Sequence, residues 1–200
     1  MKKVLAIALL SLAAVSSWAQ GTVQFQNGQI TFATAADRLL YIGAVGGTKL
    51  TGTNYAVGLY YIAGADQNIM SPTAGTQAGA LAFGRPGTTT SPGVWANPGL
   101  AGNTRILDGV AITASATLQV RAWDITKYAT FAAAFAANDY GWSQPFNQRM
   151  PDFAHGDPAT LAYMEGLRAF AVGQVPEPST IALGVLGVAG LLALRRRKQA

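Results

Sequence analysis

Several residue types with distinctive chemistry are missing or scarce in this chain. None of its 200 residues is cysteine, which excludes disulfides, thiol catalysis and cysteine metal sites. His155 is the only histidine, and charged residues make up 12% of the sequence. No Asn-X-Ser/Thr sequence occurs, so N-glycosylation has no acceptor. Folding must therefore rest on the packing of apolar side chains.

The formal net charge of +5 comes from the two ends of the chain. Six of the fourteen basic residues lie there. Between positions 20 and 175 the chain has eight basic and eight acidic residues. These charges are interspersed, with no basic run that could follow a phosphate backbone. The sequence therefore predicts a neutral domain and argues against binding of nucleic acid.

The first nineteen residues are typical of an export signal. Lys2 and Lys3 precede an apolar stretch at 4–15, and Ser17-Trp18-Ala19 places small residues where signal peptidase reads them. We expect signal peptidase to cleave between Ala19 and Gln20, so that the exported product begins at Gln20.

The last residues predict a membrane segment that stops at a basic cluster. Residues 181–194 carry no charge, and they are followed by Arg195, Arg196, Arg197 and Lys198. The sixteen residues from Ser179 to Leu194 would span roughly 24 Å as a helix, against a hydrocarbon core of about 30 Å. The segment is short for a permanent anchor, although an ordinary C-terminal anchor remains the alternative.

A Pro-Glu-Pro motif precedes this segment, in the order Val175, Pro176, Glu177, Pro178 and Ser179. The motif, the short apolar helix and the basic cluster together resemble a PEP-CTERM sorting tail. The resemblance implies recognition by exosortase, transient anchoring in the membrane, and delivery to the cell surface or extracellular polysaccharide of a Gram-negative bacterium. The chain then divides into a signal peptide (1–19), an exported domain (20–172), a stalk with the motif (173–180), a transmembrane helix (181–194) and a basic cytoplasmic tail (195–200).

The exported domain has the alternating pattern of β-strands. Residues 22–32 alternate on both sides of Asn27-Gly28, which predicts a hairpin with a type I′ turn pairing Phe25 with Ile30 and Val23 with Phe32. Further strands are expected at 39–42 and 55–62. The strongest alternation runs from Val110 to Ala122 and stops at Asp124, with a bend or bulge expected at 114–116 because such a strand is long.

The remaining segments are less regular. Residues 71–102 contain seven glycines and four prolines, which predicts a long surface connection with at most a short edge strand at 80–83. Its Thr88–Ser91 stretch could carry O-linked sugar. A short helix is expected at 128–137, with Phe131 and Phe135 packed on the sheet, and another from an Asp157 N-cap through Met164. Residues 167–172 could continue that helix or form a last strand, and we favour the strand.

Together these elements predict an all-β fold. We expect a β-sandwich of the jelly-roll or immunoglobulin-like kind with one or two short helices. The segments Gly21–Asn27, Tyr55–Tyr61, Val120–Asp124 and Gly141–Ser143 also resemble β-rich exported proteins of bacteria that carry such tails. That resemblance supports the fold and implies no site.

Few residues suggest chemistry. His155 lies between Asp152 and Asp157, a pattern that could bind a metal or serve acid–base catalysis but that also fits a solvated turn. Asp124, Asp139 and Glu165 could converge as glycosidase carboxylates, although chance proximity is the simpler explanation. We therefore predict no catalytic residue, no metal and no cofactor.

Aromatic residues leave a second function open. Trp95, Trp123, Tyr140 and Trp142 could stack on sugar rings, and Trp123, on the polar side of its strand, is expected to be exposed. The first hypothesis is a noncatalytic surface or matrix protein with a structural, adhesive or polysaccharide-associated role. The alternative is a carbohydrate-binding module or glycan-active enzyme that uses Trp123, Tyr140 or Trp142 beside a carboxylate.

Overall fold

The computed structural model describes residues 20–28, 32, 34–85, 91–96 and 103–173. Most of the regular structure is β-strand. The strands in chain order are β1 (Gln20–Gln24), β2 (Leu40–Ile42), β3 (Thr48–Lys49), β4 (Tyr55–Ala63), β5 (Thr76–Gln77), β6 (Ala82–Gly84), β7 (Trp95–Ala96), β8 (Thr104–Ala111), β9 (Ser115–Asp124), β10 (Tyr140–Trp142), β11 (Phe146–Arg149) and β12 (Phe170–Val172). The predicted all-β class is confirmed.

The described strands form three sheets. The largest has the order β10-β9-β4-β6-β7, with β11 also pairing β9 and β5 pairing β4. A second sheet consists of β1 and β8, and a third has the order β12-β2-β3. Strands β4 and β9 pair along their whole length, from Tyr55 opposite Asp124 to Ala63 opposite Ala116, and make the centre of the fold.

The main hydrophobic core covers one face of β4 and β9. Ala116, Leu118, Val120 and Ala122 of β9 point into this core, as the alternating pattern predicts. Side chains of β1, β8, β2 and β12 complete it from the other sheets. The large sheet is therefore covered on this face by strands.

The opposite face of β9 is covered as well. The single α-helix of the described residues, α1 (Phe131–Ala136), packs there, and Thr130 caps it by accepting a hydrogen bond from the Ala133 N–H. This helix and its two phenylalanines confirm the prediction for 128–137. Beside α1 the segment 69–74 lies over Arg121. Strand β9 is thus buried on both faces, although half of its residues are polar.

The predicted Asn-Gly hairpin is wrong for the residues that are described. Strand β1 pairs antiparallel with β8, and Val23 lies opposite Arg105 rather than Phe32. Neither Asn27 nor Gly28 has the positive φ that a type I′ turn requires. Instead the buried Asn27 amide donates to the carbonyls of Arg38 and Gly93 and accepts from the Trp95 N–H. The proposed partner Ile30 lies outside the described residues.

The strand predicted from Val110 to Ala122 is broken at 112–114, just before the expected bend at 114–116. Strand β8 ends at Ala111, Thr113 adopts a positive φ of 63°, and β9 starts at Ser115 in a different sheet. Alternation alone did not reveal the break, because Val110 at the end of β8 and the apolar residues of β9 all fall on even positions. The predicted end at Asp124 is confirmed.

Two other expectations need correction. The connection 71–102 contains a strand, β6, close to the expected position, but β6 lies between β4 and β7 rather than at the edge of the sheet. The connection also buries Ala78, Ala82 and Trp95 in the core. Asp157 caps no α-helix, because its carboxylate binds the Asp152 N–H and Arg149, and residues 153–155 and 159–162 form short 3₁₀ turns. Residues 170–172 form a strand, as favoured.

Candidate functional site

Strand β10 places two of the three predicted ligand-binding rings on one face of the sheet. Tyr140 lies opposite Trp123 and Trp142 lies opposite Arg121. Both rings are half-buried, 5.2 Å apart and nearly perpendicular to each other. Phe135 of α1 lies 4.7 Å from the Tyr140 ring and 5.3 Å from the Trp142 ring. The exposed edges of Tyr140 and Trp142 thus form a corner rather than one flat platform.

Trp123 does not join this surface, and the prediction that it is exposed is wrong. Its side chain is 2% exposed and meets Phe131 edge-to-face at 5.9 Å. The indole N–H is buried and has no hydrogen-bond partner among the described residues. The prediction failed because α1 covers the polar side of β9, which the strand pattern alone cannot show. Trp95 is buried too, with its indole N–H donating to the Phe25 carbonyl.

Arg121 is fully buried on the same face, and the sequence did not single it out. Its guanidinium donates to the carbonyls of Ile69, Ser71, Pro72 and Ala74 and to the Gln119 side chain. The Tyr60 ring lies 4.2 Å from the guanidinium carbon. Burial lowers the pKa of Arg121 to about 10, so it is charged at neutral pH. Arg121 therefore holds the 69–74 segment against the sheet.

Two of the three candidate carboxylates contact one lysine. The Lys127 ammonium lies 3.1 Å from an Asp139 oxygen and 3.9 Å from an Asp124 oxygen. Burial raises the pKa of Asp124, but hydrogen bonds from Thr126 and the charge of Lys127 outweigh it and leave that pKa below its usual value. A glycosidase acid needs a raised pKa, so Asp124 is unsuited to that role.

Glu165 is engaged elsewhere. Its carboxylate forms an ion pair of 3.0 Å with the buried Arg38 and accepts from the Thr34 hydroxyl. The structure therefore brings Asp124 and Asp139 to one lysine and leaves Glu165 in a separate ion pair.

His155 lies in an exposed hydrogen-bonded pair with Asp152. Its Nδ1 is 2.7 Å from Asp152, and its side chain is 81% exposed. Asp157, the other predicted partner, binds Arg149 at 2.8 Å instead. Within the described part of the chain no three His, Cys, Asp or Glu side chains lie together as a metal site would require. The arrangement fits the solvated turn.

A cleft of about 380 Å³ lies beside Arg38. The residues that line it include Asn27, Phe32, Asp37, Arg38 and Lys49. Most of its polar groups are already bonded within the protein: Asp37 accepts from the Leu39 N–H and the Tyr41 hydroxyl, and Asn27 bonds to three backbone groups. The cleft was not predicted, because distant segments form it.

The end of the domain joins β12 to β10. The Gly173 N–H donates to the Tyr140 carbonyl at 3.2 Å, and the Gly43 N–H donates to the Val172 carbonyl at 2.9 Å. Gly141 lets the two strands approach, because a Cβ there would lie 2.8 Å from the Ala171 carbonyl carbon. The last strand is therefore bonded on both sides up to Gly173, the residue at which the predicted stalk begins.

These features define the class of the protein as a β-rich domain that carries a C-terminal sorting tail. The family model of the PEP-CTERM protein-sorting motif matches residues 174–198, which confirms the predicted resemblance. The motif indicates an exported, extracellular protein that exosortase processes and that associates with the membrane. No curated protein and no solved structure matches the chain.

The predicted membrane helix at 181–194, the basic cluster and the signal peptide at 1–19 lie outside the described residues. The sorting residues 175–179 and the Thr88–Ser91 stretch likewise lie outside them, except for Ser91. Within the described ranges, none of the helices has the length and apolar content needed to cross a bilayer.

Proposed function

We propose that this chain is a noncatalytic surface or extracellular-matrix protein of a Gram-negative bacterium, sorted by exosortase through its C-terminal tail. Signal peptidase removes residues 1–19, and the segment 181–194 holds the protein in the membrane until the tail is processed. The observation that carries the proposal is the sorting motif at residues 174–198, which starts two residues after the end of β12. The domain then performs a structural, adhesive or polysaccharide-associated role.

The arrangement of the core supports a β-sandwich for this domain. The large sheet supplies Val57, Leu59, Leu118 and Val120 to the core, and the other two sheets supply Val23, Leu107, Leu40 and Val172. We infer that β1, β8, β2 and β12 form the second layer.

A noncatalytic role fits the groups that the described residues bring together. The lone histidine is solvated, the pKa of Asp124 is lowered, and Glu165 is paired with Arg38. Each of these three groups is thus engaged in an ion pair or hydrogen bond within the described residues.

The experiment that tests sorting is the intact mass of the protein recovered from the native surface fraction. We expect a wild-type mass that ends near Pro178 and a Glu177→Ala protein that retains the tail, because the substitution breaks the Pro-Glu-Pro motif. Gln174→Ala, just outside the motif core, is the matched control and should be processed. Retention of 195–200 in all three proteins would show an ordinary membrane anchor.

Sugar binding remains a second candidate, favoured by the partly exposed rings of Tyr140 and Trp142 on one face of β10. It rests on those two rings, since Trp123 is buried. Co-sedimentation with the host's extracellular polysaccharide should fall for Trp142→Ala and stay unchanged for Phe153→Ala, whose exposed ring is in a 3₁₀ turn. Equal co-sedimentation of both variants and the wild type would reject the candidate.

A further inference from the structure

Two elements form the surface beside Gly173, the residue at which the predicted stalk begins. Residues 43–47 make the turn between β2 and β3, and this turn is joined to the last strand by the bond from the Gly43 N–H to the Val172 carbonyl. On the other side, β10 receives the Gly173 N–H at the Tyr140 carbonyl. We call this surface the exit face and define it by Ile42, Val45, Tyr140 and Trp142.

The exit face is apolar at its tip. Val45 is 55% exposed and Ile42 is 40% exposed, which is unusual for aliphatic side chains in a turn. Residues 40–48 carry no charge. Gly43 and Gly46 have positive φ values of 77° and 84°, which let the turn present Val45 at its end.

Aromatic residues lie on the other side of β12, on strand β10. Tyr140 and Trp142 are partly buried, with their rings packed against Phe135. Tyrosine and tryptophan are enriched at the boundary between membrane and water, because each joins an apolar ring to a polar group. Lys127 is paired with Asp139 and Asp124, so the contact of this surface with lipid rests on its apolar and aromatic groups rather than on charge. Aliphatic and aromatic groups together suit the boundary between lipid and water.

The length of the tail sets how far the exit face can be from the bilayer. Residues 174–180 separate Gly173 from the apolar run that begins at Ile181. Seven residues reach at most about 25 Å when fully extended. With residues 181–194 in the bilayer, as proposed above, Gly173 is held within about 25 Å of the membrane surface. Such tethering makes even a weak contact effective, because the contact becomes intramolecular.

We propose that the exit face rests on the outer surface of the lipid bilayer while the tail is anchored, with Val45 and Ile42 in the headgroup layer. The inference rests on the proposed anchoring by the tail. The partner of the exit face is the lipid surface itself. This contact holds the domain in a fixed orientation with the sorting motif at the membrane.

The absence of cysteine allows a direct test with one introduced thiol. Val45→Cys in the full chain is labelled with a bimane fluorophore, and the protein is reconstituted in phosphatidylcholine vesicles with or without a doxyl group near the headgroup. Phe153→Cys is the matched control, since Phe153 is 52% exposed. Phe153 follows β11, whose Arg149 lies opposite Ser115 at one end of β9. Tyr140 of the exit face lies opposite Trp123 at the other end of β9. The two ends of β9 are roughly 27 Å apart.

We expect the doxyl lipid to quench the label at position 45 several-fold more than the label at position 153. Equal quenching at both positions, in protein that floats with the vesicles, would overturn the inference but leave the anchoring intact. Protein that does not float with the vesicles would reject both the anchoring and the inference that rests on it. Stronger quenching of the control would also overturn the inference, because the opposite end would then face the lipid.

Discussion

Arg121 shows how a single residue can organise a surface. A buried guanidinium usually has a carboxylate partner, but here backbone carbonyls of residues 69–74 and the Gln119 side chain take that place. Because guanidinium donors point in several fixed directions, one side chain can bind several carbonyls at once. Segment 69–74 is therefore held to the sheet by a side chain of β9.

We expect Arg121→Met to lower the free energy of unfolding by about 2–4 kcal/mol, because it leaves the buried carbonyls without donors. The loss for Arg121→Lys should be smaller than the loss for Arg121→Met but still measurable, since one ammonium cannot reach all of these acceptors. Urea unfolding followed by tryptophan fluorescence measures the change.

Arg149→Met is the control for this prediction. Its side chain is 47% exposed and paired with Asp157, so its loss should cost less than about 1 kcal/mol. Equal destabilisation by the Arg121 and Arg149 substitutions would contradict the role given to Arg121.

At the scale of elements, the close approach of β10 and β12 depends on Gly141. A side chain there would collide with the backbone of Ala171 and Val172, which cannot move without displacing the last strand. We expect Gly141→Ala to cost about 1–3 kcal/mol in unfolding free energy, as overpacking does.

Gly21→Ala provides the comparison. Its added methyl would meet the Cγ, Sδ and Cβ atoms of the Met150 side chain, the sulfur at 2.6 Å. These are side-chain atoms, which can shift with less disruption than the paired backbone that Gly141 approaches. Chemical denaturation of both variants should show the smaller loss for Gly21→Ala. The reverse order would mean that β12 is not fixed against β10.

The elements differ in how well the sequence predicts them. The sequence predicted strands β4 and β9 and helix α1, because the spacing of their apolar residues follows the side that faces the core. The predicted end of β9 at Asp124 was also correct. The Asn27-Gly28 turn and the exposure of Trp123 were wrong, because partners distant in sequence decide both. Asn27 bonds to backbone near residues 38 and 93, and α1 covers Trp123.

The candidate site follows the same division. The tail at 174–198 was predicted because its chemistry is linear in sequence, with motif, apolar run and basic cluster in order. The roles of Tyr140 and Trp142 could only be outlined, since their exposure depends on Phe135 and on the path of α1. The hydrogen bonds from Arg121 to residues 69–74 join segments that are far apart in the chain, and so does the exit face. No local sequence pattern indicates either of them.

At the scale of the whole molecule, the domain and the tail have separate tasks. Both hydrophobic clusters consist of residues between Val23 and Val172, so every buried residue of the described core precedes the sorting motif. Processing of the tail then removes none of the core contacts that the described residues make.

We therefore expect residues 20–173, expressed alone, to unfold cooperatively in urea at the same midpoint as residues 20–180. The bond from Gly173 to Tyr140 is present in both, and positions 174–180 add no apolar residue except Val175 and the two prolines. A clearly lower midpoint for the shorter protein would mean that the stalk contributes to the core. Equal midpoints would place the determinants of folding upstream of the motif, so that exosortase would act on a domain whose stability does not depend on the segment it cuts.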